Sequence, residues 1–377
     1  MAATLRLKGS SEMYRVVQWA TGAMGRTALR RVIDHPDLKL IGVYVYDSNK
    51  VGLDAGEIAR RPSTGITATN RIEDIIALEP DVVIHTSRLT DPYELQNADV
   101  VRLLASGIDV ISTAGFHYPS CHGVAFAGPL RAACETGSST LAGLGLNPGF
   151  IAERLAVSLT GMCAQLNSVA CYEIADASNM ASPEFVFGMM GFGADPATRD
   201  ITQGRLPKLY GELFMEVFHT VARALGTQIL TLEPQHRVTL APHDVSIKAG
   251  IVRAGTVAAT EWRWRAKLAS GVTLHHSVTW TADPRLQGLA ARDAALWRVE
   301  IDGRPRVHMS IAIEDPDPTA PHMRAATDAT IALVIQAIPD VCAAPAGFYQ
   351  PPAVGAFRAR LAKVPEASEI SRLPDTL

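Results

Sequence analysis

Residues Ala20 to Gly25, ATGAMG, space small residues as A-x-G-x-x-G between an apolar run ending at Trp19 and a segment of helical periodicity. In that setting Gly22 lets the backbone approach a pyrophosphate, and Gly25 lets the helix pack closely on the strand. The amides of Thr21, Gly22, Ala23 and Met24 then face an anion at the positive end of a helix. Alanine replaces the first glycine, which is tolerable if Ala20 keeps a negative φ. Asp47 closes the next apolar run, 22 residues after Gly25, at the spacing of an acid that bonds the adenosine ribose. Ser48, Asn49 and Lys50 follow it and, with Arg26, offer partners for a 2′-phosphate. The expected cofactor is NADP or NAD, with Lys50 and Arg26 favouring NADP.

Ligands of a doubly wound sheet bind at the carboxyl ends of its strands. That rule puts Thr86, Ser87 and Arg88 after DVVIH, Ser112, Thr113 and Ala114 after IDVI, and Asn147 after the last strand near the nicotinamide end. Reduction of a C=O or C=N bond also needs a proton donor and a site closed to water. Glu173 and Asp176 in CYEIADASNM are candidate acids facing the crevice. Phe116, Phe150, Met180 and Phe185, the last opening FVFGMMGFG, are expected with Asp176 to line an adaptable apolar substrate pocket. The same Phe–Met–Gly cluster also suits packing between subunits.

Trp262, Trp264 and Trp280 alternate along strands and are expected to fill a covered sheet face, while His275 and His276 point to opposite faces. The chain has no G-x-S-x-G, H-E-x-x-H or Walker pattern. Hydrolysis, zinc catalysis and triphosphate chemistry are disfavoured, and no metal is expected.

Two rhythms organise the chain. From Tyr14 to Asn147, continuous β-branched runs alternate with helical stretches, the mark of a buried parallel sheet with right-handed crossovers. Beyond Gly149, helices give way to long period-2 strands joined by short turns, which implies a mostly antiparallel open sheet in an α+β domain. The expected architecture is an α/β Rossmann domain at 13–148, completed by 324–360, with a substrate and dimerisation domain at 149–323. EDPDPTAP, 314–321, reads as a linker, and TDATIALVIQAIPDV as a helix returning to the first domain.

A chain of 377 residues exceeds one ordinary core. A hydrophobic share of 47% with 19% charged residues suits a globular protein, and a net charge of -3 favours neither nucleic acid nor an anionic membrane. Five scattered cysteines without metal spacing read as reduced thiols of a cytoplasmic protein. Residues 1–12 lack a signal-peptide core and are expected to be a loose extension. No run of 18 apolar residues is uninterrupted, so no membrane span is expected.

ATGAMG, KVGLDAGE, STAGFHYP, GLGLNPGF, GFGADP and QAIPDVCAAPAGF, in this order along the chain, resemble the dihydrodipicolinate-reductase-like oxidoreductases. Within them they resemble the branch of 2,4-diaminopentanoate dehydrogenase and the native amine dehydrogenases. The resemblance implies NAD(P)-dependent hydride exchange with a small carbonyl or amine substrate, ammonia as a possible co-substrate, and a homodimer. It places His117 and Tyr118 where the family carries its acid/base loop. One departure stands out: the amine dehydrogenases carry a pair of glutamates where this chain has Gly115 and Phe116. An ammonia-independent carbonyl or imine reductase and a non-catalytic dinucleotide sensor therefore stay open.

Overall fold

The computed structural model describes residues 13–288, 295–317, 320, 324–352 and 354–359. The extension expected at 1–12 and residues 318, 319 and 321 of the expected linker lie outside them. The chain divides into two compact units. The first runs to Gly149 and takes in Thr327–Pro351; the second begins at Phe150.

In the first unit the strands are β1 (Tyr14–Trp19), β2 (Leu38–Tyr44), β3 (Ala68–Thr69), β4 (Val82–His85), β5 (Asp109–Ser112) and β6 (Thr140–Gly143). With Gly347–Phe348 they form one parallel sheet in the order Gly347–Phe348, β6, β5, β4, β1, β2, β3. The order reverses between β1 and β4, where a doubly wound sheet opens its ligand crevice. Val16, Val17, Val82, Val83, Ile84, Val110 and Ile111 are buried on both faces, which is why these strands read as unbroken apolar runs.

Helix α1 (Ala23–Asp34) buries Gly25, Ala28, Leu29 and Val32, one stripe at helical spacing, and ends before Pro36. The later helices Arg324–Gln336 and Ile338–Ala343 together are long and apolar enough to cross a membrane by length and composition. Their Ile331, Val334, Ile335, Ile338 and Val341 instead share a core cluster with Val16, Ala28, Ile84 and Ile111. These helices thus pack into the core of the first unit.

The second unit holds β7 (Gln165–Asp176), β8 (Ile229–Leu240), a small hairpin of β9 (Val245–Ile247) and β10 (Gly250–Val252), then β11 (Val257–Leu268), β12 (Thr273–Thr281), β13 (Ala295–Arg304) and β14 (Val307–Ala312). The main sheet runs β14, β13, β7, β12, β11, β8. It is antiparallel throughout except for the parallel β7–β12 pair. Helix Arg205–Ala224 covers one face. Its Phe214 stacks on Trp264 at 4.7 Å, and Tyr210 meets Trp262 edge-on at 6.4 Å. Trp262 and Trp264 are buried as expected, whereas Trp280 is half-buried. His276 is buried against Phe214 and His275 is half-buried on the opposite side, the split that period-2 alternation predicts.

Candidate functional site

The glycine loop leaves β1 at Trp19 and enters α1 with Gly22 as N-cap. Ala20 sits at φ 68°, contrary to the expectation of a negative value. The turn needs a left-handed residue, and the surrounding hydrogen bonds hold alanine there. Ala20 N donates to Tyr44 O at 2.9 Å, and Gln18 Nε2 donates to Ala20 O at 2.9 Å. The two glycines play different parts. A side chain at Gly25 would collide with the Ala20 carbonyl and the Thr86 hydroxyl, whereas one at Gly22 would meet nothing within 4 Å. Gly25 is therefore demanded by packing, and Gly22 leaves open space over the loop. The first intrahelical bond is made by Arg26 N to Gly22 O, so the amides of Ala23, Met24 and Gly25 precede the helical ladder.

Lys50 reaches back to this loop. Its Nζ donates to the carbonyl oxygen and to Oγ1 of Thr21, 3.2 Å each. Asp47 is exposed and accepts from Asn49 N at 3.0 Å, capping the short turn Ser48–Lys50. Arg26, in the first turn of α1, is half-buried with its Nε unbonded among the described residues. The loop thus brings together two cations, one carboxylate and a helix start.

Along the carboxyl edge of the sheet the polar groups bond to one another. Thr86 Oγ1 donates to Trp19 O at 3.0 Å and accepts from Gln18 Nε2 at 2.8 Å, so its hydroxyl braces the glycine loop. Ser87 Oγ lies 2.9 Å from His85 Nε2, and His85 Nδ1 lies 3.0 Å from Ser112 Oγ. Ser112 Oγ in turn accepts from Ala114 N at 3.1 Å, and Thr113 N donates to His85 O at 3.0 Å. Burial lowers the His85 pKa to about 4, so its imidazole is neutral at pH 7. Gln18, Tyr46 and His85 were not singled out from sequence, whereas Ser112 was expected at this edge. The available signal was a polar residue ending or nearly ending an apolar strand, as in VVQW and VVIH.

The loop after β5 carries the expected acid/base residues. Gly115 has φ 98°, and a side chain there would strike the Tyr93 hydroxyl. That position has no room for a glutamate while Tyr93 stays buried. Phe116, expected on a pocket wall, is 1% exposed and belongs to the core with Leu103, Leu130 and Leu141. Its φ of 67° turns the ring inward. His117 is buried, with its carbonyl held by Gln350 Nε2 at 2.7 Å, and Tyr118 is half-buried. Asn147, beyond β6, is half-buried.

The other candidates lie in the second unit. Glu173 is buried on β7, with Trp297 of β13 and Val278 of β12 as its cross-strand neighbours. Burial, and secondarily the Glu173 charge, raise the pKa of the Tyr210 hydroxyl. Asp176 is buried and accepts from Ser178 N at 2.7 Å, which fixes the turn leaving β7. Phe150, Met180 and Phe185 are each half-buried; Phe150 lies under the Arg154 guanidinium at 5.2 Å, and Phe185 is in a π-helical segment, Glu184–Met189.

Comparison with known proteins bears on both units. Residues 150–369 match the family described as the 2,4-diaminopentanoate dehydrogenase C-terminal domain. Residues 15–118 match the dihydrodipicolinate reductase N-terminus. An amine dehydrogenase of Streptomyces virginiae is 29% identical over 317 residues, 80% of this chain and 86% of that protein. The 2,4-diaminopentanoate dehydrogenase of Acetoanaerobium sticklandii is 24% identical over 349 residues, covering 90% and 92%. The solved amine dehydrogenase of Mycobacterium smegmatis shares the fold, with TM-score 0.73 at 16% identity over 93% of this chain and 98% of that one.

Proposed function

The chain belongs to the family of the 2,4-diaminopentanoate dehydrogenase C-terminal domain, an amine-dehydrogenase-like oxidoreductase with an NAD(P)-binding fold, and on that premise we propose that it reductively aminates a small ketone or aldehyde and runs the reverse oxidative deamination. The observation that carries the cofactor half of this reading is the contrast between Gly22, open to the surface, and Gly25, sealed by packing. Such a loop suits a pyrophosphate on the amides of Thr21, Gly22, Ala23, Met24 and Gly25. Bound NAD(P)H supplies the hydride; the protein's own residues bind, orient and protonate.

Asp47 and Ser48 would hold the adenosine ribose, with Thr86, Ser87, Thr113, Ala114 and Asn147 towards the nicotinamide. Lys50 beside Thr21 and the half-buried Arg26 support a preference for NADP. His117 and Tyr118 would deliver the proton to the substrate heteroatom, and Glu173 would act as acid in the second unit, the proposed substrate and dimerisation domain. Phe150, Asp176, Met180 and Phe185 would bound the substrate. A homodimer and ammonia as co-substrate rest on the family likeness. Five free cysteines, with the Cys134 thiol pushed up to about 11 by burial, suit a reducing cytoplasm.

A second reading, an ammonia-independent carbonyl or imine reductase, is favoured by the steric block at Gly115 where the resemblance expects a glutamate. Oxidation of NADPH and NADH with short ketones and aldehydes, with and without ammonium, separates the two. Ammonium-dependent turnover supports amination, and ammonium-indifferent turnover supports the reductase. Cofactor binding without turnover would leave the sensor. Lys50→Ala should weaken NADPH roughly tenfold while sparing NADH, since about 1–2 kcal/mol attends a charged contact to phosphate; equal losses for both cofactors would refute the NADP assignment.

A further inference from the structure

Tyr46 stands directly before Asp47 and is 57% exposed, although its hydroxyl is hydrogen-bonded to two other side chains. The oxygen accepts from Trp19 Nε1 at 2.9 Å and lies 3.1 Å from Ser87 Oγ. The ring meets Tyr44 edge-on at 5.2 Å and Trp19 at 6.4 Å, with interplanar angles of 83° and 76°. A surface tyrosine ordinarily buries its apolar ring and gives the hydroxyl to water. The Tyr46 hydroxyl is instead tied to Trp19 and Ser87, which tethers an exposed side chain. The tether and the edge-on packing hold an exposed aromatic side chain just past the second strand, where the acid of a dinucleotide fold meets the adenosine ribose.

Behind Ser87 stands His85, fully buried, with both ring nitrogens on serine hydroxyls. A neutral imidazole has one donor and one acceptor, so Ser87 and Ser112 must take complementary roles. The chain Tyr46–Ser87–His85–Ser112 therefore crosses the carboxyl ends of β2, β4 and β5 as one oriented set of bonds. Nothing in the assigned cofactor contacts uses Tyr46 or His85.

We propose that Tyr46 presents its ring to the adenine–ribose half of the dinucleotide, and that His85 is a positioning residue that holds this ring in place through Ser87. The proposal rests on the dinucleotide-binding reading. Stacking of a base on an aromatic side chain corresponds to roughly five- to hundredfold in affinity. The hydroxyl tether keeps the ring from swinging, so its loss should cost less than loss of the ring itself.

The test is calorimetric affinity of the full-length chain for ADP-ribose and 2′-phospho-ADP-ribose, which contain the adenosine half and no nicotinamide. Tyr46→Ala should weaken the better ligand about tenfold or more, and Tyr46→Phe about threefold. His85→Leu should match Tyr46→Phe, and the double variant Tyr46→Phe/His85→Leu should be no weaker than the worse single one, because both act on the same ring. If His85→Leu fails to fold, Ser87→Ala breaks the same tether. Affinity of Tyr46→Ala within twofold of the wild type overturns the proposal. Losses that multiply in the double variant overturn the role of His85. Failure of the wild type to bind either ligand strikes the dinucleotide reading itself.

Discussion

The two sheets treat buried polar groups differently. In the parallel sheet of the first unit, the strand interiors are apolar, and Gln18, His85, Thr86 and Ser112 gather at the carboxyl ends. In the second unit, His276, Ser277, Thr279 and Thr281 on β12 and Glu173 and Asp176 on β7 are buried at intervals along the strands. The reason is coverage. A sheet packed on both faces has no water along its strands, so a polar side chain survives only where the strands end and loops offer partners. A sheet with helices packed on one face tolerates polar residues along its length. Buried polar side chains of the first sheet accordingly sit at strand ends, and in the second they lie along the strands.

The largest test of this contrast is at the edge itself. Gly25→Val drives a side chain into Ala20 and Thr86 and should cost about 3 kcal/mol or more of stability, read as a fall in the urea midpoint. Gly22→Ala, in open space, should leave the midpoint nearly unchanged and weaken NAD(P)H binding. A comparable loss of stability in both would remove the distinction between a packing glycine and a ligand-facing one.

Acid should reveal the two buried histidines separately. Burial holds His85 at about 4 and His276 at about 3, against an ordinary 6.5. The unfolded imidazoles take up protons first as the pH falls, so stability is full above about 6.5 and declines below it. The His85 share, on the order of 3 kcal/mol, should level off near pH 4, while the His276 share continues to fall towards pH 3. Urea unfolding from pH 7 to 3 on the wild type, His85→Leu and His276→Leu checks the assignment. Unchanged acid profiles in both variants would contradict it.

A smaller effect is expected at Asp54 of the KVGLDAGE segment. Its carboxylate accepts from the amides of Thr64, Gly56 and Gly65 and from Ser63 Oγ, and these bonds, the Thr64 amide first, hold its pKa near 2. Stability from this group is full above the ordinary 3.8 and lost as the pH falls through about 2. Asp54→Asn should lower the melting temperature at pH 7 and converge with the wild type at acid pH. The smallest effect has the opposite sign: Ala20→Gly relieves a left-handed alanine and should stabilise by about 1 kcal/mol, seen as a raised melting temperature.

The helical stripe of α1 and the long alternating strands were legible because local periodicity is set by which faces are buried. The glycine loop was legible in its spacing, yet the φ of Ala20 was not. An alanine's own preference is for negative φ, and only the bonds from Gln18 and to Tyr44 override it. Phe116 illustrates the same limit. A phenylalanine in a loop suits a pocket as well as a core, and its positive φ, invisible in sequence, turns it into the core. Short strands such as Ala68–Thr69 and Gly347–Phe348 were missed because two residues have no periodicity.

By itself the sequence determined the class of each sheet, the position of the glycine turn and the family, since all three depend on local order and on motifs in series. Tertiary structure alone decided which glycine is sealed and which is open, why no side chain fits at Gly115, and that Tyr46, Ser87, His85 and Ser112 bond in one chain. Tyr46 and Ser87, and His85 and Ser112, are far apart in sequence and are brought within 3 Å or so by parallel strand register, and no local pattern records such distances.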